Sequence, residues 1–471
     1  MIFKSSLWSV FGNLGEKVFT ILTYILVARQ VDKNQLGLIV VVFLVYELLS
    51  YVSSLGIREN IVRKEYLSDQ FKSSCFIFVL GVALFIGILN ITVITPFAYF
   101  FKGADLAVLF LIMTAHPMMV GLSGFYQGLL ERDFHYKSLA IRKTFISFCS
   151  GLVGVMLSIY EFGIYALVAA RYTYSVLNLI ALIIIQPYKI NRKPAAGDFK
   201  EIWKFGWKFS FSETLNFIGS KSTELVIAAT LGPVALALLD VGRKLVITLN
   251  NVLLMPLGPV LLSSLRASKS KLKSYRSFVR VALVLVVSLS AIMGAQSDEI
   301  INLVFGDGWR ESADVLEILS FAIVLQISSR YLASLCISHG RSGLLLQLQI
   351  LNSSIVFLGT LMLTFYFDNL VDIIKGALFF MGLSSFIRVL VVSKALVHSY
   401  CVHLLLGIEA FVLYFLIFGL TDYLSGLIEF SLLVAGHDLS KYIDLVVTSV
   451  VAILPVGFYF LLFGRLALKY K

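Results

Sequence analysis

Residues 74–96 read SCFIFVLGVALFIGILNITVITP, a stretch without one charged side chain. About 20 mainly apolar residues suffice for a helix to cross the hydrocarbon of a bilayer. This segment therefore predicts a membrane-spanning helix, and the same pattern recurs along the chain. Candidate spans are 5–28, 37–56, 74–96, 106–130, 141–159, 164–186, 208–231, 235–264, 278–296, 313–337, 344–367, 371–393, 402–424 and 443–463.

Composition agrees. Of 471 residues, 59% are apolar and 14% charged, and the mean hydropathy is +0.90. A soluble domain holds roughly 45–50% apolar and about 25% charged residues, because its surface faces water. The connections between spans are short, and the longest polar ones, near 187–207, 265–277 and 297–312, have no room for a catalytic domain. The N-terminal apolar stretch is interrupted by Gly12, Asn13, Gly15, Glu16 and Lys17 and is read as an uncleaved first span. Cys75, Cys149, Cys336 and Cys401 show no CxxC spacing and read as small apolar residues.

The net charge of +11 is distributed by topology. Alternate loops collect Arg58, Arg63, Lys64 and Lys72, then Arg132, Lys137, Arg142 and Lys143, then six lysines and arginines between 189 and 208. The positive-inside rule places these loops and both termini in the cytoplasm. The basic charge is thus an orientation signal and an anionic-lipid contact, and no nucleic-acid partner is expected. Segment 199–211, FKEIWKFGWKFSF, is expected at the cytoplasmic interface, leading into the seventh span.

A weak repeat relates Gly15-Glu16-Lys17 to Gly219-Ser220-Lys221. It divides the chain into a six-span bundle over 1–195, a second over 196–400, and two further spans over 401–471. Repeated halves around a central site are a transporter architecture. The fold expected is an all-α polytopic membrane protein of about fourteen transmembrane helices, counted at roughly 20 residues each.

Charges inside spans are functional hypotheses by default, because each costs roughly 2.5–3.5 kcal/mol at mid-bilayer. Asn13, Glu16, Lys17, Thr20 and Tyr24 share one face of span 1. Glu213, Asn216, Ser220 and Glu224 line one face of span 7 with Lys221 beside them, and span 8 adds Asp240, Arg243, Lys244 and Asn251. Glu224 with Lys221, and Asp240 with Arg243 and Lys244, also have the spacing of structural ion pairs. Arg171 and Arg388 have the alternative of snorkelling to an interface. Arg330 lies deeper, whereas Glu47, Glu131, Glu409 and Asp422 read as isolated or solvated near interfaces. Pro117, Pro256, Pro259 and Pro455 predict kinks that serve either as hinges or as static bends. There is no GxxxxGK[ST], no HExxH and no ligand spacing among the six histidines. No cofactor or metal is expected, and a membrane enzyme is disfavoured.

Two local motifs add a resemblance. Gln127-Gly128-Leu129-Leu130-Glu131-Arg132-Asp133-Phe134, running to Ile141, resembles the segment after the fourth span of polysaccharide flippases. Phe305-Gly306-Asp307-Gly308-Trp309, followed by Val315-Leu316-Glu317-Ile318-Leu319, resembles the FG-x-x-W…VLxIL stretch of the same group. With Gly232-Pro233 and Arg243-Lys244, the chain is similar over nearly its full length to Wzx-type flippases of the polysaccharide transporter family. These belong to the multidrug/oligosaccharidyl-lipid/polysaccharide exporter superfamily, whose resemblance implies MATE-like paired bundles.

The resemblance also implies a bacterial inner-membrane protein moving an undecaprenyl-diphosphate-linked oligosaccharide, such as an O-antigen unit, to the periplasmic leaflet. A polysaccharide polymerase and chain-length machinery are then further partners. In that reading Lys17, Lys221, Arg243, Lys244 and Arg330, with Asn13 and Asn216, line the substrate cavity. Glu16, Glu213, Glu224 and Asp240 are candidates for coupling to protons or Na⁺. A multidrug or cation antiporter of the same superfamily, or a flippase for another cell-wall precursor, remains the alternative.

Overall fold

A computed structural model describes residues 19–133, 135–190, 192–251, 261, 271–330, 332, 336, 342–394 and 401–435. Among them every regular element is helical. Among the described residues, nine helical stretches are long and apolar enough to cross a membrane: Lys33–Arg63, Asp69–Phe100, Ala104–Arg132, Lys137–Ile159, Ile164–Ile185, Phe278–Ala295, Leu346–Leu363, Leu370–Val392 and Gly407–Ser425. A shorter apolar helix, α1, covers Phe19–Ala28. The expected residues Asn13, Glu16 and Lys17, the span at 443–463, and Pro256, Pro259 and Pro455 lie outside the described residues, as does the side chain of Arg330.

The helices bury one side against each other and leave large apolar side chains outside. Phe85, Ile88, Ile91 and Val93 on 69–100, and Phe145, Met156 and Ile159 on the 137–159 helix, are all more than half exposed. Water would penalise that surface by about 25 cal/mol per Å², whereas lipid tails do not. The exposed apolar faces are therefore lipid-facing, and the chain is a multi-pass membrane protein.

Two compact units are present, Met1–Ile218 with Gly232–Ala237, and Gly219–Leu231 with Leu238–Lys471. In the first, α2 (Lys33–Ser54), α3 (Ile57–Arg63), α4 (Asp69–Leu89), α5 (Thr95–Lys102), α6 (Ala104–Ile112), α7 (Ala115–Arg132), α8 (Tyr136–Ile159) and α9 (Ile164–Ile185) follow in order. Helix α7 packs against α2, α3, α4 and α9, and α8 pairs with α9. Caps define the starts: Asp32 accepts from the Gln35 N–H at 2.7 Å, and Ser68 from the Phe71 N–H at 3.2 Å, satisfying donors that a first turn leaves open.

Helices α4 and α5 form one path joined by a π-helical turn at Asn90–Ile94. Pro96 follows in the first turn of α5, where its missing N–H costs least. The kink expected at Pro117 is a break at Met113–Thr114, just ahead of it, between α6 and α7. The Ser53 hydroxyl donates to the Pro117 carbonyl at 2.5 Å, and a Cβ on Gly121 would come within 2.6 Å of that hydroxyl oxygen. Helices α2 and α7 thus touch through small residues, as helices without a water-driven hydrophobic force must.

The loops grouped by their basic charge meet at one end of this unit. Arg58 pairs with Glu131 at 2.7 Å, and Lys64 with Glu201 at 2.9 Å. Glu131 is therefore an ion-pair partner rather than an isolated acid. Arg132 donates to the carbonyls of Ile61, at 2.9 Å, and Glu65, at 2.7 Å, and also to that of Lys64. Below them Phe71, Phe125, Leu130, Ile57, Ile61 and Ile202 form a closed apolar core. Replacing Arg132 with alanine strips donors from three carbonyls at the end of α3. The expected loss is about 1–3 kcal/mol, read as a lower thermal midpoint in detergent and faster proteolysis at 64–67. An unchanged midpoint and cleavage pattern would contradict this role.

Helix α10 (Ala196–Ser220) carries the lysine- and tryptophan-rich segment. Ile202, Gly206 and Ser210 are buried, while Lys200, Trp203, Lys204, Trp207, Lys208 and Phe211 are exposed along the opposite face. That split is the amphipathic pattern of an interfacial helix.

The second unit contains α11 (Ser222–Thr230), most of α12 (Pro233–Leu249), α13 (Lys271–Ala295), α14 (Ser297–Phe305), α15 (Ser312–Arg330), α16 (Ser342–Leu363), α17 (Leu370–Val392) and α18 (Cys401–Ala435). Helix α15 packs on α13, α17 and α18, and α16 pairs with α17. Gly306, at φ 92°, turns the chain between α14 and Trp309, a conformation that only glycine adopts freely. Glu409 of α18, grouped by sequence with acids close to interfaces or isolated, holds the Arg280 guanidinium of α13 through both carboxylate oxygens, one at 2.9 Å.

Candidate functional site

The predicted span at 208–231 is two helices. Helix α10 ends at Ser220, Lys221 takes φ −110° and ψ 13°, and α11 starts at Ser222. A break between two helices exposes carbonyls at one end and N–H groups at the other, and these need partners. Arg243 of α12 supplies one, its guanidinium donating to the Ser220 carbonyl at 3.0 Å.

The same guanidinium pairs with Glu224, in the first turn of α11, and Lys221 reaches that carboxylate at 3.2 Å. The Glu224 side chain is only 2% exposed. A carboxylate in the first turn is favoured by the positive end of the helix dipole. Two cations facing one carboxylate leave a net positive charge, and both cations keep about a fifth of their side-chain surface open. One turn away, Lys244 lies 3.8 Å from Asp240.

Thus four sequence-predicted residues, Lys221, Glu224, Arg243 and the Ser220 backbone, form one cluster, and Asp240 with Lys244 forms a pair of its own. The ion-pair alternative holds for Glu224, which takes Arg243 as well as Lys221. That second link was not legible, because Arg243 is nineteen positions further on. Asn216 and Glu213 are not part of this cluster. They sit in the first unit, where Asn216 lies near the Glu213 carboxylate.

The first unit contains polar groups that sequence spacing did not bring together. Arg171 of α9 stacks on the Phe43 ring of α2, its guanidinium carbon 4.4 Å from the centroid. Glu47 lies close enough for its charge to act on Arg171. Nearby, buried His116 meets the Ser175 hydroxyl at 2.8 Å through Nδ1. Arg171 therefore packs against a neighbouring helix of the bundle. Only the aromatic at 43, one turn before Glu47, hinted at this. Among the described residues no cluster of three or more His, Cys, Asp or Glu is arranged to hold a metal ion.

Three comparisons bear on this arrangement. A solved lipid II flippase MurJ, in an inward closed conformation, superposes with a TM-score of 0.71 at 10% identity, covering 98% of this chain and 99% of that one. An inward-facing multidrug resistance MATE family transporter of the MOP superfamily gives 0.61 at 15% identity, over 82% and 94%. These likenesses show the fold: an all-α polytopic architecture of the MATE and MurJ kind. The succinoglycan biosynthesis transport protein ExoT of Rhizobium meliloti (strain 1021) is 21% identical over 320 residues, 67% of this chain. The chain spans 65% of the length of that curated relative. The sequence profile described as polysaccharide biosynthesis protein matches residues 26–314, which contain both polar regions above. With more than half of its length matched, the chain belongs to the polysaccharide biosynthesis protein family.

Proposed function

We propose that this protein is a flippase that moves an undecaprenyl-diphosphate-linked oligosaccharide from the cytoplasmic to the periplasmic leaflet of a bacterial inner membrane. It acts as a transporter and not as an enzyme. The observation that carries this reading is the Lys221–Glu224–Arg243 cluster, net-positive among the described residues, at the break between α10 and α11. Broken helices hold substrate and coupling-ion sites in transporters.

The physical need is clear. Each sugar hydroxyl stripped of water without a partner costs a few kcal/mol, roughly 2–7 by transfer data. A polar path replaces that water while the polyprenyl tail remains in lipid. Guanidinium and ammonium groups bind diphosphate through charge-assisted hydrogen bonds. Glu224 keeps Lys221 and Arg243 together in the empty protein, and the diphosphate takes over part of their charge when it enters. Rocking of the two units gives alternating access. A cation antiporter would favour a net-negative cluster, whereas cations outnumber the carboxylate here. Coupling to protons or Na⁺ is assigned to the acids Glu16, Glu213, Glu224 and Asp240 taken together. A polysaccharide polymerase and chain-length machinery would receive the product.

The test is reconstitution. Vesicles containing the protein and a fluorescent undecaprenyl-diphosphate-linked oligosaccharide should expose the glycan to an outer-leaflet reagent at a rate that protein-free vesicles lack. Lys221→Ala should reduce that rate about tenfold, the loss of one charge-assisted contact of ~1.4 kcal/mol. Wild-type vesicles no faster than protein-free ones would refute the reading.

A further inference from the structure

In the first unit, Phe43, Glu47 and Tyr51 recur every four residues and so share one face of α2. All three are half-buried rather than sealed. Tyr51 is pinned at its backbone, where its carbonyl accepts from the Ser210 hydroxyl of α10 at 3.2 Å. Its ring rests against Phe217 of α10, with centroids 6.0 Å apart and planes at 56°. Glu213 lies one turn before Phe217, with Asn216 near its carboxylate. Glu47 and Glu213 both lie within electrostatic reach of the Tyr51 phenol. Arg171 closes the other end of this face on Phe43.

Carboxylates in a membrane-spanning region are costly and call for a ligand or a partner. Glu47 has Arg171 nearby, but no ion pair holds Glu213 among the described residues. The face therefore offers a ring platform, two acceptor carboxylates, and donors at Asn216 and Arg171. A lipophilic cation would match the ring and the acids yet meet Arg171. An anion would match Arg171 yet meet two carboxylates. A neutral sugar suits the whole set, because each hydroxyl both donates and accepts and the C–H face of a pyranose covers an aromatic ring.

We propose that the α2–α10 face around Tyr51, Glu47, Glu213 and Asn216 is a subsite for neutral sugar residues of the transported oligosaccharide. This rests on the flippase reading above and adds a division of labour within it. The diphosphate is held at Lys221 and Arg243, and the glycan is held at Tyr51. The carboxylates accept from vicinal hydroxyls, and the Tyr51 ring packs on the sugar.

The experiment compares two ligands on the purified full chain by native mass spectrometry. One is undecaprenyl diphosphate, which has no sugar, and the other is the lipid-linked oligosaccharide fraction extracted from the producing cells. Tyr51→Ala should weaken binding of the glycosylated lipid about tenfold, leaving undecaprenyl diphosphate unchanged within twofold. Tyr51→Phe, which keeps the ring, should retain most of the affinity. Should Tyr51→Ala fail to fold, Glu47→Gln and Glu213→Gln, nearly isosteric, are expected to show the same selective loss. Equal weakening of both ligands, or no change in either, overturns the sugar subsite while the flippase reading stands. Tyr51-dependent binding of tetraphenylphosphonium that the glycosylated lipid does not displace also overturns it, in favour of a cation site. A wild-type protein that binds neither lipid refutes the flippase reading and this subsite together.

Discussion

Replacing Arg243 with alanine is expected to cost about 3 kcal/mol of stability, the low end for breaking a buried ion pair, and to abolish transport. The Glu224 side chain, 2% exposed, would keep only Lys221 as a cationic partner among the described residues. The Ser220 carbonyl at the end of α10 would lose its donor as well. The low end applies because Lys221 remains in place and Arg243 is itself a fifth exposed. The double variant Arg243→Ala/Glu224→Gln separates the two consequences. Removing the orphaned charge should restore most of the thermal midpoint in detergent, while flipping in vesicles stays lost for want of the guanidinium. Arg243→Lys should fall between, because an ammonium lacks the planar fork that serves carbonyl and carboxylate together. A double variant no more stable than the single one would contradict the account.

The second large effect is steric. A Cβ at Gly206 would stand 2.5 Å from the Leu55 carbonyl oxygen, well inside contact distance. The obstacle is backbone, and it sits in a turn where Leu55 and Gly56 both have positive φ, 37° and 58°. Such a turn has little freedom to retreat. Gly206→Leu should therefore push α10 off the turn between α2 and α3 and break the Ser210 to Tyr51 hydrogen bond. Overpacking costs typically ~1–3 kcal/mol, and a backbone obstacle puts this case at or above the upper end. The expected readout is loss of the monodisperse protein on size exclusion and of the glycan at the cell surface. Gly197→Leu on the same helix is the control. Its Cβ meets open space, so no more than a small change in midpoint is expected. Equal behaviour of the two variants would show that the close approach is not what seats α10.

Much of the architecture was legible because its cause is local. The uncharged run at 74–96 needs only its own length to be a spanning helix. The alternating loop charges needed only counting, and Arg58, Lys64 and Arg132 do gather at one end of the first unit. Helix α10 has the interfacial face that its lysines and tryptophans describe. What stayed hidden was the partner of each single charge. Glu131 and Glu409 are held by Arg58 and Arg280, from 73 and 129 positions away. No periodicity within one helix reports a partner on another.

The two polar regions divide in the same way. Lys221, Glu224, Asp240 and Lys244 were visible as charges three and four apart, because a helix brings such positions onto one face whatever surrounds it. The break at Lys221 was not visible. It depends on Arg243, from the next helix, satisfying a carbonyl that an unbroken helix would satisfy internally. The face at Tyr51 was also hidden, because it joins α2 and α10 through a hydrogen bond 159 positions long. By itself the sequence determined that this chain lives in a bilayer and that many of its segments are apolar enough to cross it. Those facts follow from the transfer of side chains between water and lipid, an additive property of composition and order. Only the tertiary structure decided which charges neutralise one another and which face stays open to a ligand, because pairing energies depend on distances of a few ångströms between helices remote in the chain.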